Sequence, residues 1–255
     1  MKSSEPFVVG VIDSGIHAGH PHIGAVAAGA HFDGAGNVHG DTVDRLGHGT
    51  AVAAAIQDLA RPDGHGAPLR ARGSLAGATL QRSKLHAPDV HVCPLKVFDR
   101  SLDTSVEALV AAIDWAAAHA PPLVNLSLGT SDGSRAGRLA AAVARAHEAG
   151  VVIVAAGSDR GVDWLPGTLD LDGVIRVELD WACPRGSHTV AGSPAAPVFR
   201  TCGYPRPIPG IDPERNLKGL SFAVANVTGI AARAMVETGL YGYVALVTEL
   251  RRRAL

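Results

Sequence analysis

The stretch Phe7-Val8-Val9-Gly10-Val11-Ile12-Asp13-Ser14-Gly15-Ile16 decides how the rest of the chain is read. Residues 7–12 are a continuous uncharged run, as a strand covered on both faces requires. The run stops on an acid followed by a serine and a glycine. Beyond it, helical stripes and apolar runs alternate. Residues 50–60 carry Val52, Ile56 and Leu59 at helical spacing, and residues 90–98 read as a strand. Residues 105–118 line up Val106, Leu109, Val110, Ile113 and Ala117 on one stripe, which Pro121-Pro122 ends because proline cannot continue the ladder. Residues 123–128 are a strand, and 135–149 an Ala-rich helix closed by Gly150. Residues 151–156 and 174–177 are strands, and 222–238 a helix with Val227, Ile230, Ala231 and Ala234 inward. Repeated strand–helix–strand units imply an α/β fold, with parallel strands and helices on both faces. In such sheets reactive groups collect at the carboxyl ends of the strands. Two stretches lack periodicity. Residues 61–87 read as a surface insertion, and residues 181–220, with their seven prolines, as long loops. Neither a repeat nor a linker interrupts the pattern, so residues 1–255 are expected to form a single domain.

Composition narrows the function. Of the 255 residues 47% are hydrophobic, enough for a sizeable core. Lys+Arg 23 nearly cancels Asp+Glu 24, a formal net charge of -1, which argues against a nucleic-acid or membrane-surface binder driven by bulk charge. No stretch reaches the ~18 apolar residues that span a bilayer. The six residues before Phe7 have no apolar core ahead of a small-residue cleavage site, so they do not read as a secretory signal. Cys93, Cys183 and Cys202 are too few and too odd in number for a disulfide framework. They read as isolated thiols of a cytosolic protein, with a Cys183–Cys202 pair left open.

Three short segments carry the chemistry. Val11-Ile12-Asp13-Ser14-Gly15-Ile16 puts an acid where a buried strand ends, and Gly47-His48-Gly49-Thr50 a histidine at the start of a helix. Lys218-Gly219-Leu220-Ser221-Phe222-Ala223 puts a serine at the start of a later helix. Singly each has a bland reading: a turn or cap residue, a surface imidazole, a helix cap. Together they supply a nucleophile, a base and a group that orients the base, in the chain order Asp…His…Ser.

In these segments the sequence resembles the subtilisin-like serine proteases, the subtilases. Asp13-Ser14-Gly15-Ile16 with His20-Pro21-His22-Ile23 downstream looks like the family's aspartate segment, and Gly47-His48-Gly49-Thr50 with Val52-Ala53 like its histidine segment. Ala87-Pro88 and then Pro94-Leu95-Lys96-Val97-Phe98 resemble the strand before its substrate-binding region. Val124-Asn125-Leu126-Ser127-Leu128-Gly129 is similar to its substrate-backbone strand, and Val154-Ala155-Ala156-Gly157 to the other pocket wall. Gly219-Leu220-Ser221-Phe222-Ala223, with Val227-Thr228-Gly229, looks like the serine segment. The resemblance runs over roughly residues 7–237. It implies a subtilisin-like parallel sheet and a serine endopeptidase acting on peptide or protein substrates. Asp13, His48 and Ser221 would be catalytic, and Ser127, Leu128, Gly129, Ala155, Ala156 and Gly157 would bind substrate.

The departures concern the oxyanion hole. Ser158 stands where the family has an asparagine whose amide donates to the oxyanion, and Leu220 where it usually has threonine. Ala225-Asn226 replaces a Pro-His pair. Ser158 is the expected substitute donor, with Asn125, Asn226 or a water as displaced alternatives. No signal or folding pro-segment fits before Phe7, which the resemblance reads as an intracellular, cytoplasmic variant with a dedicated substrate, such as a precursor peptide being matured. Ala155, Ala156 and Gly157 leave room in the primary pocket, whose depth is set by residues of the loops. The Arg-rich residues 61–87, with Asp63 as their only acid, do not suit calcium. Calcium elsewhere stays open, and no other cofactor is implied.

Two other classes compete. A subtilase fold retained as a catalytically weak or inactive binding module would not need Ser221. A metal hydrolase could draw on His17, His20, His22, His31, His39, Asp33, Asp41 and Asp44, but their spacings match no metal template. A dinucleotide site is weaker still, since residues 10–24 contain no G-x-G-x-x-G.

Overall fold

The computed structural model describes residues 6–61, 90–208 and 210–255. The first half contains β1 (Phe7–Asp13), β2 (Ala30–Phe32), β3 (Val38–His39), α1 (His48–Leu59), β4 (Val90–Lys96), α2 (Val106–His119) and β5 (Leu123–Leu126). The second half contains α3 (Ala136–Glu148), β6 (Val152–Ala156), the small pair β7 (Ser158–Asp159) and β8 (Val162–Asp163), and β9 (Val174–Leu179). It ends with β10 (Thr189–Gly192), β11 (Pro197–Thr201), α4 (Leu220–Thr238) and α5 (Tyr243–Arg253).

The main sheet runs β10-β11-β9-β6-β5-β1-β4-β2-β3. Pairing is parallel from β11 through to β2 and antiparallel only at the two edges, β10–β11 and β2–β3. β1 lies between β4 and β5, which explains why its residues are apolar on both faces. Phe7, Val9 and Val11 pack under α1 and α4, whereas Val8 and Ile12 face the layer of α2 and α3. That alternation is the two-residue period of a strand with helices over both faces. The expected α/β architecture, a mostly parallel sheet with helices over both faces, is the one observed. Among the described residues no single helix is long and apolar enough to cross a membrane.

Pro94 sits inside β4 without breaking it. On one side of β4, chain 25–27 bonds to Val92 and β2 pairing resumes at Leu95 and Lys96, so the gap falls where proline has no N–H to give.

The expectation of loops over residues 181–220 needs correction. β10 and β11 form there and extend the sheet beyond β9. Phe199 is fully buried, and Pro197 opens its strand, a position that costs no ladder bond. Helix α4 begins at Leu220, two residues before the apolar stripe, so Ser221 lies inside its first turn. The anticipated insertion at 61–87 falls, from residue 62 on, outside the described residues. Cys93, Cys183 and Cys202 are all free and buried, so the open Cys183–Cys202 pair is not formed. Burial pushes the Cys93 thiol up to about 12.

Candidate active site

β1, β4, β5 and β6 end along one edge of the sheet, and the chain leaving them carries the residues singled out above. Asp13 closes β1 and is fully buried. A buried carboxylate must be met by donors. Oδ1 accepts the Ser14 N–H at 2.7 Å and faces His48 Nδ1 at 2.7 Å, and Oδ2 accepts the Ser127 hydroxyl at 3.1 Å.

His48 is the first residue of α1, and its side chain is 19% exposed. Gly47 precedes it at φ 81, a left-handed conformation suited to glycine, and no side chain caps the helix from that position. The ring packs against Phe222 with centroids 5.8 Å apart. Burial pulls the imidazole down, but the Asp13 hydrogen bond, the Asp13 charge and the Asp44 charge together outweigh it. The net result is a His48 held above the ordinary histidine value.

Ser221 is not the cap of α4. Gly219 holds that position, and no side-chain cap bond is made there. The Ser221 hydroxyl donates to the Ser127 carbonyl at 3.3 Å. Ser127 thus touches both ends of the cluster, through its hydroxyl to Asp13 and its carbonyl to Ser221. No His48–Ser221 hydrogen bond is made among the described residues. Both side chains instead line one cleft of about 480 Å³.

That cleft contains four of the expected site residues beyond His48 and Ser221: Ser127, Leu128, Gly129 and Ala156. Ala155 and Gly157 lie off it. Ala155 is fully buried toward α2 and α3, and Gly157 donates to the Val177 carbonyl and accepts from Trp164. Ser158 is also outside the lining. Its hydroxyl donates to Asp163 and accepts from Arg176 Nη2 at 2.8 Å, so both of these partners lie away from the cleft. Neither displaced donor reaches the cleft. Asn226 Nδ2 holds the Cys202 and Tyr204 carbonyls, and fully buried Asn125 accepts from Thr228. Asn125 Nδ2 has no partner among the described residues.

Sequence reasoning missed Phe98, Leu102, Asp103, Thr104, Asp159 and Trp164 in the lining. Four of them follow β4 immediately, and the rule that sites collect beyond strand ends could have found them. Trp164 could not have been found that way. It comes back to the cleft beside the Thr130–Leu165 backbone pair and adds an indole to the wall that Ala156 shares. In the described histidine-rich segment no group of three His, Cys, Asp or Glu is placed to hold a metal ion. His20 Nδ1 is taken by the His22 N–H.

The family model described as "Subtilase family" matches residues 4–178. The chain belongs to the subtilase family. Subtilisin DY from Bacillus licheniformis is 31% identical over 237 residues, covering 88% of this chain and 74% of its own. A thermostable alkaline protease from Halalkalibacterium halodurans is 30% identical over 232 residues, and this chain spans 55% of that relative's length. Among solved structures, sphericase superposes with a TM-score of 0.64 at 23% identity, covering 99% of this subtilase and 86% of that chain. The nisin leader peptidase NisP from Lactococcus lactis gives 0.60 at 19% identity, covering 96% and 82%, a likeness of fold. As a subtilase, the protein is a serine endopeptidase of the subtilisin type, acting on peptide or protein substrates.

Proposed function

We propose that this subtilase cleaves peptide bonds through an Asp13–His48–Ser221 relay. The observation that carries the reading is the 2.7 Å contact of His48 Nδ1 with buried Asp13, on the wall of a cleft that also presents Ser221. Asp13 fixes the tautomer that leaves Nε2 as the base and stabilises the imidazolium that forms. The Ser221 hydroxyl turns from the Ser127 carbonyl to His48 when substrate enters, a tightening common on going from free to bound enzyme. Ser221 Oγ then attacks the carbonyl carbon, and His48 takes its proton and returns it to the leaving amine. An extended substrate adds as a strand along Ser127, Leu128 and Gly129, beyond the end of β5.

The Ser221 N–H lies in the first turn of α4, where it has no intrahelical acceptor and the helix dipole favours negative charge. It is the primary oxyanion donor. With the Ser158 hydroxyl engaged by Asp163 and Arg176, the hole starts short of a second donor, and rate depends more on positioning. Trp164 in the cleft, with Asp103 and Asp159 as its carboxylates, favours a narrow substrate set. A dedicated precursor peptide carrying lysine or arginine beside the cut fits that set better than general proteolysis.

The test is incubation with a diverse peptide library, with products mapped by mass spectrometry, for the wild type and Ser221→Ala. Cleavage by the wild type alone, concentrated at sites flanked by a cationic residue, supports the reading. Cleavage by neither protein leaves the fold as a binding module, and equal cleavage by both removes Ser221 as the nucleophile.

A further inference from the structure

Asp44 lies outside the relay yet is the most heavily bonded carboxylate near it. Oδ1 accepts the Ser14 hydroxyl at 2.8 Å, the Leu46 N–H at 2.9 Å and the Gly47 N–H at 2.8 Å. Oδ2 accepts the Thr50 N–H at 2.8 Å and the Thr50 hydroxyl at 2.6 Å. Two of its partners continue the chain of contacts: the Ser14 hydroxyl accepts the Gly49 N–H at 2.9 Å, and the Thr50 hydroxyl accepts the His17 N–H at 3.0 Å. One carboxylate therefore ties the chain leaving β1 to the first turn of α1. The two relay residues sit inside that tie, Asp13 just before Ser14 and His48 between Gly47 and Gly49.

The bonds also answer a need that the sequence of α1 leaves open. A helix N-terminus has unpaired N–H groups, and Gly47 has no side chain to satisfy them. Asp44 does so from three residues upstream, directly for Thr50 and through Ser14 for Gly49. It also places a negative charge at the positive end of the helix dipole.

We infer that Asp44 is a positioning residue of the peptidase site, holding the Asp13–His48 pair in register and keeping a negative charge behind the imidazole. This rests on the relay proposed above. Its donors hold the Asp44 carboxyl below the usual carboxylate range despite the opposing effect of burial, so it is charged at working pH. Its charge is one of the influences that raise His48. The other charged and titratable groups around it are Asp13 and His48 at the strand end, and Arg45 and Asp41 on its own loop. Lys96 reaches the Val43 carbonyl and pairs with Asp99, and His17, His20, His22 and Arg206 line the groove that Asp44 shares.

The test is Asp44→Asn, with kcat, KM and the pH profile of kcat/KM measured beside wild type, Asp44→Glu and Ser221→Ala. The expected result is a kcat about 10- to 100-fold lower with KM little changed, the scale of a small misplacement of reacting groups. The acid limb should move to lower pH in Asp44→Asn and stay in place in Asp44→Glu. A structural role alone would lower Tm and the active fraction without moving that limb, and an unmoved limb in folded Asp44→Asn overturns the inference. If Asp44→Asn does not fold, Ser14→Ala cuts one strand of the tie. A fall in its kcat at constant KM supports the inference, and wild-type kcat overturns it. If wild type and Ser221→Ala are equally inactive, the relay itself has failed, which is a separate outcome.

Discussion

Gly49→Ala should disable catalysis while leaving the fold standing. Gly49 is buried in the first turn of α1, and its N–H donates to the Ser14 hydroxyl at 2.9 Å. A Cβ added there would lie 2.3 Å from the Gly15 carbonyl oxygen and 3.1 Å from both Ser14 N and Ser14 Oγ. Carbon and carbonyl oxygen rest at ~3.3 Å or more, so the helix start must retreat from the end of β1 by about 1 Å. The retreat acts directly on the 2.7 Å contact between Asp13 and His48, whose residues adjoin Ser14 and Gly49. A 1 Å misplacement costs about 10²-fold in rate. Overpacking costs about 1–3 kcal/mol of stability, partly offset by the ~1 kcal/mol helix preference of Ala over Gly. The assay is kcat and KM on a cleaved peptide with thermal melting alongside, and Gly137→Ala as control. An added Cβ at Gly137 in α3 meets nothing within 4 Å. The control should keep wild-type kcat and gain up to ~1 kcal/mol. Wild-type kcat in Gly49→Ala would refute the reasoning that the close approach of α1 to β1 sets the relay.

Other expectations concern pH and the cleft. Because His48 is held above its ordinary value of ~6.5, kcat/KM should rise with pH along a limb centred above that value, and a limb at or below it would contradict the electrostatics. The same raised group stabilises the fold fully below ~6.5, and that contribution is lost as pH rises through the folded value, so urea midpoints should show a loss there. Trp164→Ala should improve kcat/KM for peptides with a large aromatic residue beside the cut by about 10- to 100-fold, and unchanged selectivity would remove Trp164 from the specificity wall. Ser158→Asn should raise turnover, by no more than the about 10²- to 10³-fold known for this donor in subtilisin itself, and an unchanged rate would mean the oxyanion is held otherwise.

What could be read from the letters was whatever local pattern and chain order determine. The uncharged run ending at Asp13 marked a buried strand, because helices cover both faces of β1 and leave no water for a charge until it ends. The apolar stripe ended by Pro121-Pro122 marked α2, and the Ala-rich run closed by Gly150 marked α3, for similarly local reasons. β10 and β11 escaped because they are short, the edge strand β10 pairs only with β11, and the parallel pairing of β11 with β9 is non-local, all written over a proline-rich background. At the site, chain order pointed to Asp13, His48 and Ser221. Spacing alone could not show that the Ser158 hydroxyl faces Arg176, a residue 18 positions later on a neighbouring strand. Nor could it show Asp44 as more than a turn residue, because its role comes from five donors that only the folded loop gathers.

Labelling with a fluorophosphonate, read by intact mass and peptide mapping, addresses the relay most directly. The folded wild type should gain one adduct, on Ser221, faster than an isolated serine allows. Asp13→Asn and His48→Ala should slow the reaction strongly, and Ser221→Ala should abolish it. A folded protein that takes no adduct, or one still labelled at the same rate in Ser221→Ala, would contradict the account.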